Sequence, residues 1–170
     1  KILQLVNSAY FGLAREVTEV SQAIFYLGIE TIRDLAFSVR LFSQFDESDI
    51  KNAGLGSLWD HSLRVATCSR AIVSSMTQDR KVASSAFTAG ILHDIGKLII
   101  GTSSIDFYNR MNRVGNTSPA QYLPCEKSEF GYTHADIGAY LLGVWGLPAD
   151  IVSAVSLHHD LVHINFNEIN

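Results

Sequence analysis

The 170-residue chain is poor in cysteine, proline and charged residues, and each scarcity excludes a class of protein. Two cysteines, Cys68 and Cys125, are too few for a disulfide framework and suit a reducing compartment. The three prolines all lie in the last third of the chain, so long helices are permitted through most of it. We therefore expect a cytoplasmic protein with a helical body.

The sequence indicates neither a basic surface nor a membrane span. The formal net charge is −4 and the pI is about 5.8, whereas binding to nucleic acid requires a basic face. No apolar run approaches the roughly 20 residues that cross a bilayer. The nearest candidate, residues 89–100, is interrupted by His93, Asp94 and Lys97. We predict no nucleic-acid partner and no membrane partner.

Apolar residues make up 47% of the chain and recur at helical spacing, without sustained strand alternation. This pattern predicts a single, compact all-α domain. It also predicts a loop over residues 46–56, because that stretch is polar and contains two glycines. Caps and apolar spacing predict helices that begin near Thr18, Thr31, Ser57, Val82, Ile105, Ser118, His134 and Ala149.

One predicted helix face contains a histidine. Leu58, His61, Val65, Cys68 and Ile72 step alternately by three and four residues, which predicts a single buried stripe. A lone histidine on such a stripe is most often a core residue bonded to a backbone carbonyl. By the same pattern, Cys68 is predicted to be a core residue.

The adjacent pair His93-Asp94 offers an imidazole nitrogen and a carboxylate from one turn of backbone. His134, His158 and His159 are predicted on apolar faces of two later helices. Burying several imidazoles without partners would cost about 1–3 kcal/mol each. A shared divalent metal ion (Fe, Mn, Zn or Mg), a pair of such ions, or a hydrogen-bonded polar cluster would satisfy these groups together with the histidine of the stripe.

Three further residues near these candidates have more than one interpretation. Lys97, one turn after Asp94, is interpreted as a phosphate clamp, as a partner of Asp94 or as a solvated lysine. Glu126 and Glu129 precede His134, and we predict that both lie on a helix surface rather than among the ligands. In a catalytic pocket the metal would acidify a bound water, and Asp94 and Lys97 would be the catalytic residues.

Several short motifs, taken in order, resemble those of the HDOD domain family. The resemblance extends over essentially the whole chain, residues 1–170, which begins a helix or two after such domains usually start. The motifs are Asn7-Ser8-Ala9-Tyr10-Phe11-Gly12, Gln22-Ala23-Ile24 with Leu27-Gly28, Trp59-Asp60-His61-Ser62, Gly90-Ile91-Leu92-His93-Asp94-Ile95-Gly96-Lys97, Gly131 to Gly138, Trp145, and His158-His159.

This resemblance implies an all-helical member of the HD superfamily, found in bacterial signalling proteins beside receiver, cyclase or phosphodiesterase modules. It implies that the partners are signalling proteins or neighbouring regulatory domains, with a nucleotide or cyclic dinucleotide as a further option. It also implies a metal-ligand set, since His61 and His93-Asp94 match the HD phosphohydrolase pattern. The additional matches, to the HD-GYP branch that hydrolyses cyclic di-GMP, are His134, His158, His159 and Lys97.

The chain departs from the HD-GYP pattern at three points. Ser57 stands where that branch has a glutamate one turn before the first histidine, and the Gly-Tyr-Pro signature is absent. No aspartate before Asn170 matches the expected final ligand. HDOD domains are regarded as regulatory descendants of such enzymes. We therefore favour a regulatory output domain that acts through protein contacts and has an inherited metal pocket; the alternative is an active divalent-metal-dependent phosphohydrolase.

Overall fold

A computed structural model describes residues 2–115 and 122–160 of the chain. Within these ranges there are eleven α-helices and no strand, which confirms the all-α prediction. No helix in the described part is both long and apolar enough to cross a bilayer. The helices are α1 (Ile2–Val6), α2 (Val20–Leu27), α3 (Ile29–Phe42), α4 (Glu47–Asn52), α5 (Leu58–Met76), α6 (Arg80–Leu92), α7 (Ile95–Ser103), α8 (Ile105–Gly115), α9 (Tyr122–Phe130), α10 (His134–Val144) and α11 (Ala149–Leu157).

Helix α6 lies at the centre of the packing, because it contacts α3, α5 and α11. Ala83, Phe87 and Ile91 recur along it at four-residue spacing and are all buried, as their apolar pattern predicts. Leu92, the last residue of the helix, is also buried. Helix α6 therefore leads the chain out of the core directly into His93.

Helix α5 packs against α6 through a different face from the predicted one. Cys68 and Ile72 are exposed, and the His61 side chain is 48% exposed, so the prediction that they share a buried stripe is wrong. A Cβ atom on Gly90 of α6 would lie only 2.7 Å from the Cα atom of Ala66. Because the two helices approach so closely, small residues mark their contact. The buried residues of α5 are Leu58, Ser62, Leu63 and Ala66.

Residues 46–56, predicted to be a loop, contain helix α4. The Asp46 carboxylate caps this helix by accepting a hydrogen bond from the backbone N–H of Ser48 at 2.7 Å. Ala53 and Leu55, just beyond the helix, are buried. A good N-cap and these two apolar anchors outweigh the polar composition on which the prediction relied.

Three predicted helix starts are shifted, and a fourth is not described. Helix α6 begins at Arg80 rather than near Val82. Gly28 has a φ of +85° and separates α2 from α3 by itself, so α3 begins at Ile29 rather than near Thr31. The residue preceding α2 is Glu19 rather than Thr18. The start predicted near Ser118 lies outside the described residues.

Helices α7 and α10 cross at two glycines. A Cβ atom on Gly96 would overlap the carbonyl oxygen of His134 and lie 3.0 Å from the backbone nitrogen of Gly138. Gly138 in turn has the Gly96 nitrogen 3.4 Å from its own ideal Cβ position. This close crossing brings Asp94, two residues before Gly96, next to the start of α10.

We expect Gly96→Ala to lower the free energy of unfolding by about 1–3 kcal/mol, because the added methyl group forces the two backbones apart. Gly143→Ala on the exposed side of α10 is the matched control, since nothing lies within 4 Å of its ideal Cβ position. The control should gain up to about 1 kcal/mol from helix propensity. Urea denaturation measures both, and equal effects of the two substitutions would contradict the close crossing.

Candidate metal centre

The predicted ligands come together in one pocket that is built from helix ends. His61 lies in the first turn of α5, and His134 is the first residue of α10. His93 and Asp94 form the junction between α6 and α7. His158 and His159 directly follow the last residue of α11. The structure thus places all six predicted metal ligands together.

The Asp94 carboxylate, in a residue only 1% exposed, lies at the centre and divides the ligands into two groups. Its Oδ2 atom is 3.3 Å from Nε2 of His93 and 3.6 Å from Nε2 of His61. Its Oδ1 atom is 3.3 Å from Nε2 of His134 and 3.6 Å from Nε2 of His158. We call the first set (His61, His93, Asp94) the three-ligand group and the second (Asp94, His134, His158, His159) the four-ligand group; the candidate ligand atoms within each lie within 4.8 Å of one another.

Two of the rings are oriented by carbonyl groups at helix C-termini. Nδ1 of His93 is 2.8 Å from the carbonyl oxygen of Gly90, and Nδ1 of His158 is 2.7 Å from that of Val155. Each acceptor lies three residues earlier, in the last turn, where carbonyl groups lack helical partners. Since a carbonyl can only accept, each Nδ1 carries a proton, and in the neutral ring each Nε2 presents a lone pair to the pocket.

The centre has a surplus of acceptors. In the neutral rings, Nε2 of His93 accepts from Nε2 of His61 at 3.2 Å, and Nε2 of His134 accepts from Nε2 of His159 at 3.0 Å. Among the described residues, Oδ1 of Asp94 and Nε2 of His158 are buried and have no hydrogen-bond partner. Unpartnered buried acceptors that converge on one point are the arrangement a cation satisfies, so these residues fit a divalent metal ion.

The negative charge of Asp94 is stabilised by the groups around it. Burial raises the pKa of Asp94, but the imidazoles of His134, His158 and His93 together with the Lys97 ammonium hold it well below its usual range. Nζ of Lys97 donates a hydrogen bond to Oδ2 of Asp94 at 2.6 Å. The structure therefore places Lys97 as a partner of Asp94, within the three-ligand side of the pocket.

Glu126 belongs to this site, and the prediction that it lies on the surface is wrong. It is fully buried, and Oε2 accepts hydrogen bonds from the backbone N–H of His134 at 2.8 Å and from Nδ1 at 2.7 Å. The available signal was the four-residue spacing of Tyr122, Glu126 and Phe130, which places Glu126 between two partly buried aromatic residues. Glu129, by contrast, is exposed as predicted.

The protonation of the rings follows from their surroundings. Burial lowers the pKa of His134, but Asp94 and Glu126 on either side outweigh it, so the net shift is upward. Burial and the neighbouring rings of His158 and His134 lower the pKa of His159 to about 4. Burial likewise lowers the pKa of His61 despite the nearby Asp94. The rings of His61 and His159 are thus held neutral, as metal ligands must be. The extra proton favoured on His134 can be displaced by a bound metal ion.

A small cavity of about 230 Å³ adjoins the three-ligand group. It is lined by His61, Asp94 and Lys97, and also by Ser57 and Tyr108. The Tyr108 hydroxyl is buried without a partner among the described residues, and burial together with Glu126 and Asp94 raises its pKa. Tyr108 is a site residue that the sequence analysis missed. The cavity leaves the three-ligand group accessible through His61, and the four-ligand group has an exposed histidine of its own, His159.

The chain is similar to proteins of one family. The HDOD domain model matches residues 1–161. An uncharacterized protein of Treponema pallidum (strain Nichols) is 25% identical over 164 residues, which are 95% of this chain and 31% of that protein. The crystal structure of an HDOD domain protein of unknown function from Geobacter sulfurreducens superposes with a TM-score of 0.72 at 25% identity. The superposition covers 97% of this chain and 54% of that one, so the chain spans about a third and about half of these two relatives. The chain belongs to the HDOD family.

Proposed function

We propose that this HDOD domain is a regulatory output domain of a bacterial signalling protein and that its histidine pocket binds two divalent metal ions. The three-ligand group would hold one ion and the four-ligand group the other, and Asp94 belongs to both groups. Bound metal would join the ends of five helices and so stabilise one arrangement of the domain. A neighbouring protein domain would recognise that arrangement.

One observation carries the metal proposal: lone pairs converge on a buried carboxylate. The outward Nδ1 hydrogen bonds of His93, His134 and His158 direct three Nε2 atoms toward Asp94. A purely structural histidine cluster would alternate donors and acceptors, because each buried acceptor left unpaired costs about 1–3 kcal/mol. Here the unpaired atoms, Oδ1 of Asp94 and Nε2 of His158, belong to the same group.

The donor set favours some metals over others. Five imidazoles and one carboxylate suit Mn²⁺, Fe²⁺ or Zn²⁺, whereas Mg²⁺ prefers an octahedral shell of oxygen atoms. We therefore propose a transition metal or zinc rather than magnesium, within the range of metals that the sequence suggests.

The regulatory role rests on what surrounds the pocket. The cavity of about 230 Å³ is smaller than the roughly 300–1,000 Å³ of typical small-molecule sites, which disfavours a nucleotide-sized ligand. Ser57 lines this cavity at the position where the HD-GYP branch has a glutamate. Phe37 and Trp145, in edge-to-face contact at 6.3 Å, remain 40% and 43% exposed, which suits a domain that acts through protein contacts. We place this activity in the cytoplasm, where the two free cysteines stay reduced.

The second candidate function is a metal-dependent phosphohydrolase, and one observation favours it. The three-ligand group borders the cavity, and three protein ligands with an open position are typical of catalytic metal centres. Bound metal would supply Lewis acidity and an acidified water. Lys97 would steady the oxyanion of a small phosphate ester, and Asp94 would hold the metals in place.

Elemental analysis of protein purified without chelator tests the metal proposal. We expect two ions of manganese, iron or zinc per chain in the native protein. Asp94→Asn should lose both because the carboxylate belongs to both groups, and His61→Ala should lose one because His61 belongs only to the three-ligand group. Asp60→Asn is the matched control, an exposed carboxylate beside His61 that is in neither group.

A native protein without stoichiometric metal would contradict the proposal, as would full retention of both ions in Asp94→Asn. Loss of both ions in His61→Ala would show instead that the two groups do not bind independently.

Hydrolysis of a generic phosphodiester, bis-p-nitrophenyl phosphate with added Mn²⁺, separates the two functions. We expect no turnover above that of the His93→Ala variant, because among the described residues Asp94 is the only carboxylate in either ligand group. Turnover by the manganese-loaded native protein that disappears in His93→Ala would establish the phosphohydrolase and overturn the purely regulatory function.

A further inference from the structure

We infer that Glu126 is the positioning residue of the four-ligand group: it holds His134 in the one ring orientation and tautomer that directs Nε2 to the metal. Glu126 itself is no ligand, because its carboxylate contacts the far side of the His134 ring. The inference deepens the proposed function and rests on it for the metal. The hydrogen bonds between Glu126 and His134, from which it is argued, do not involve a metal ion.

The Glu126 carboxylate is buried. Glu126 is 0% exposed, yet no Lys or Arg lies within salt-bridge distance of it among the described residues. A buried carboxylate without such a cation is costly, so its hydrogen bonds must compensate. All the hydrogen bonds described for it come from His134.

The hydrogen bonds to Glu126 fix the orientation of the His134 ring. Oε2 of Glu126 accepts from the backbone N–H of His134 and from Nδ1 of the same residue, at 2.8 and 2.7 Å. The backbone bond holds the carboxylate against the first residue of α10, whose N–H has no helical partner. The side-chain bond then sets the ring, and Oε1 adds a second contact to Nδ1 at 3.0 Å. The proton of the neutral ring therefore lies on Nδ1.

His134 differs from the other oriented rings in the group that accepts its Nδ1 hydrogen bond. His93 and His158 donate Nδ1 to carbonyl groups three residues earlier, which every helix C-terminus supplies. His134 begins a helix, so no such carbonyl is available to it. A carboxylate from another helix, α9, takes that role, and charged acceptors of this kind also make an imidazole a better metal ligand.

The test compares Glu126→Gln with Glu129→Gln, which makes the same change at an exposed position of the same helix. Co²⁺ is the probe, because its visible absorption reports its ligands. We expect Glu126→Gln to weaken Co²⁺ binding to the four-ligand group about 10- to 100-fold, with an altered spectrum. Binding to the three-ligand group, measured in the His159→Ala background, should stay within about twofold. Glu129→Gln should match the native protein in both.

A purely structural role for Glu126 predicts a different result, in which both groups weaken together or neither does. Either result would overturn the inference. Circular dichroism checks that each variant is folded.

A second measurement needs no substitution of Glu126 and no metal. In ¹⁵N-labelled metal-free protein, the imidazole resonances of His134, assigned with a His134→Ala variant, should show a protected proton on Nδ1 at every pH at which the protein is folded. An unprotonated Nδ1 would overturn the inference even if Glu126→Gln did not fold. A protected Nδ1–H in a native protein that binds no metal would refute the proposed function while leaving the positioning by Glu126 intact.

Discussion

The structure depends on one buried carboxylate, Asp94, and on how its charge is compensated. The Lys97 ammonium lies 2.6 Å from Oδ2 of Asp94 and compensates its charge. Imidazole rings surround both carboxylate oxygens. A carboxylate in a residue that is 1% exposed would be expensive without them. Every helix that supplies a ligand therefore has to end or begin at this point.

Helix ends, rather than helix faces, build the pocket. Carbonyl groups at the C-termini of α6 and α11 orient His93 and His158, and the N-terminus of α10 presents His134 to Glu126. Unpaired backbone groups at helix ends are an unavoidable cost of the helix. In this domain the same groups fix the tautomers of the rings. Two of the oriented rings are thus held by backbone carbonyl groups, and the third is held by the Glu126 carboxylate.

The sequence allowed the fold class to be predicted from apolar spacing, and with the family resemblance it singled out the six residues that the structure brings together, whose binding of metal stays a prediction. It did not reveal Glu126, whose role depends on the turn between α9 and α10. The stripe predicted on α5 failed for a related reason. Periodicity finds apolar residues, but the contact of α5 with α6 is chosen by close approach at Gly90 and Ala66. Asp46 shows the opposite error, in which polar composition hid a capped helix.

The distance along the chain between the ligands has a consequence for folding. His61 and His159 are about 100 positions apart, so the centre forms only when most of the domain has already folded. An ion in the three-ligand group would link His61 to Asp94, and one in the four-ligand group would link Asp94 to His159. Such clips gain most when the loop that they close is long. The free concentration of metal would then set the fraction of molecules in which the domain is open, because binding to the folded state alone shifts the opening equilibrium by mass action. The open fraction of the domain would then depend on the cell's metal supply as well as on the chain.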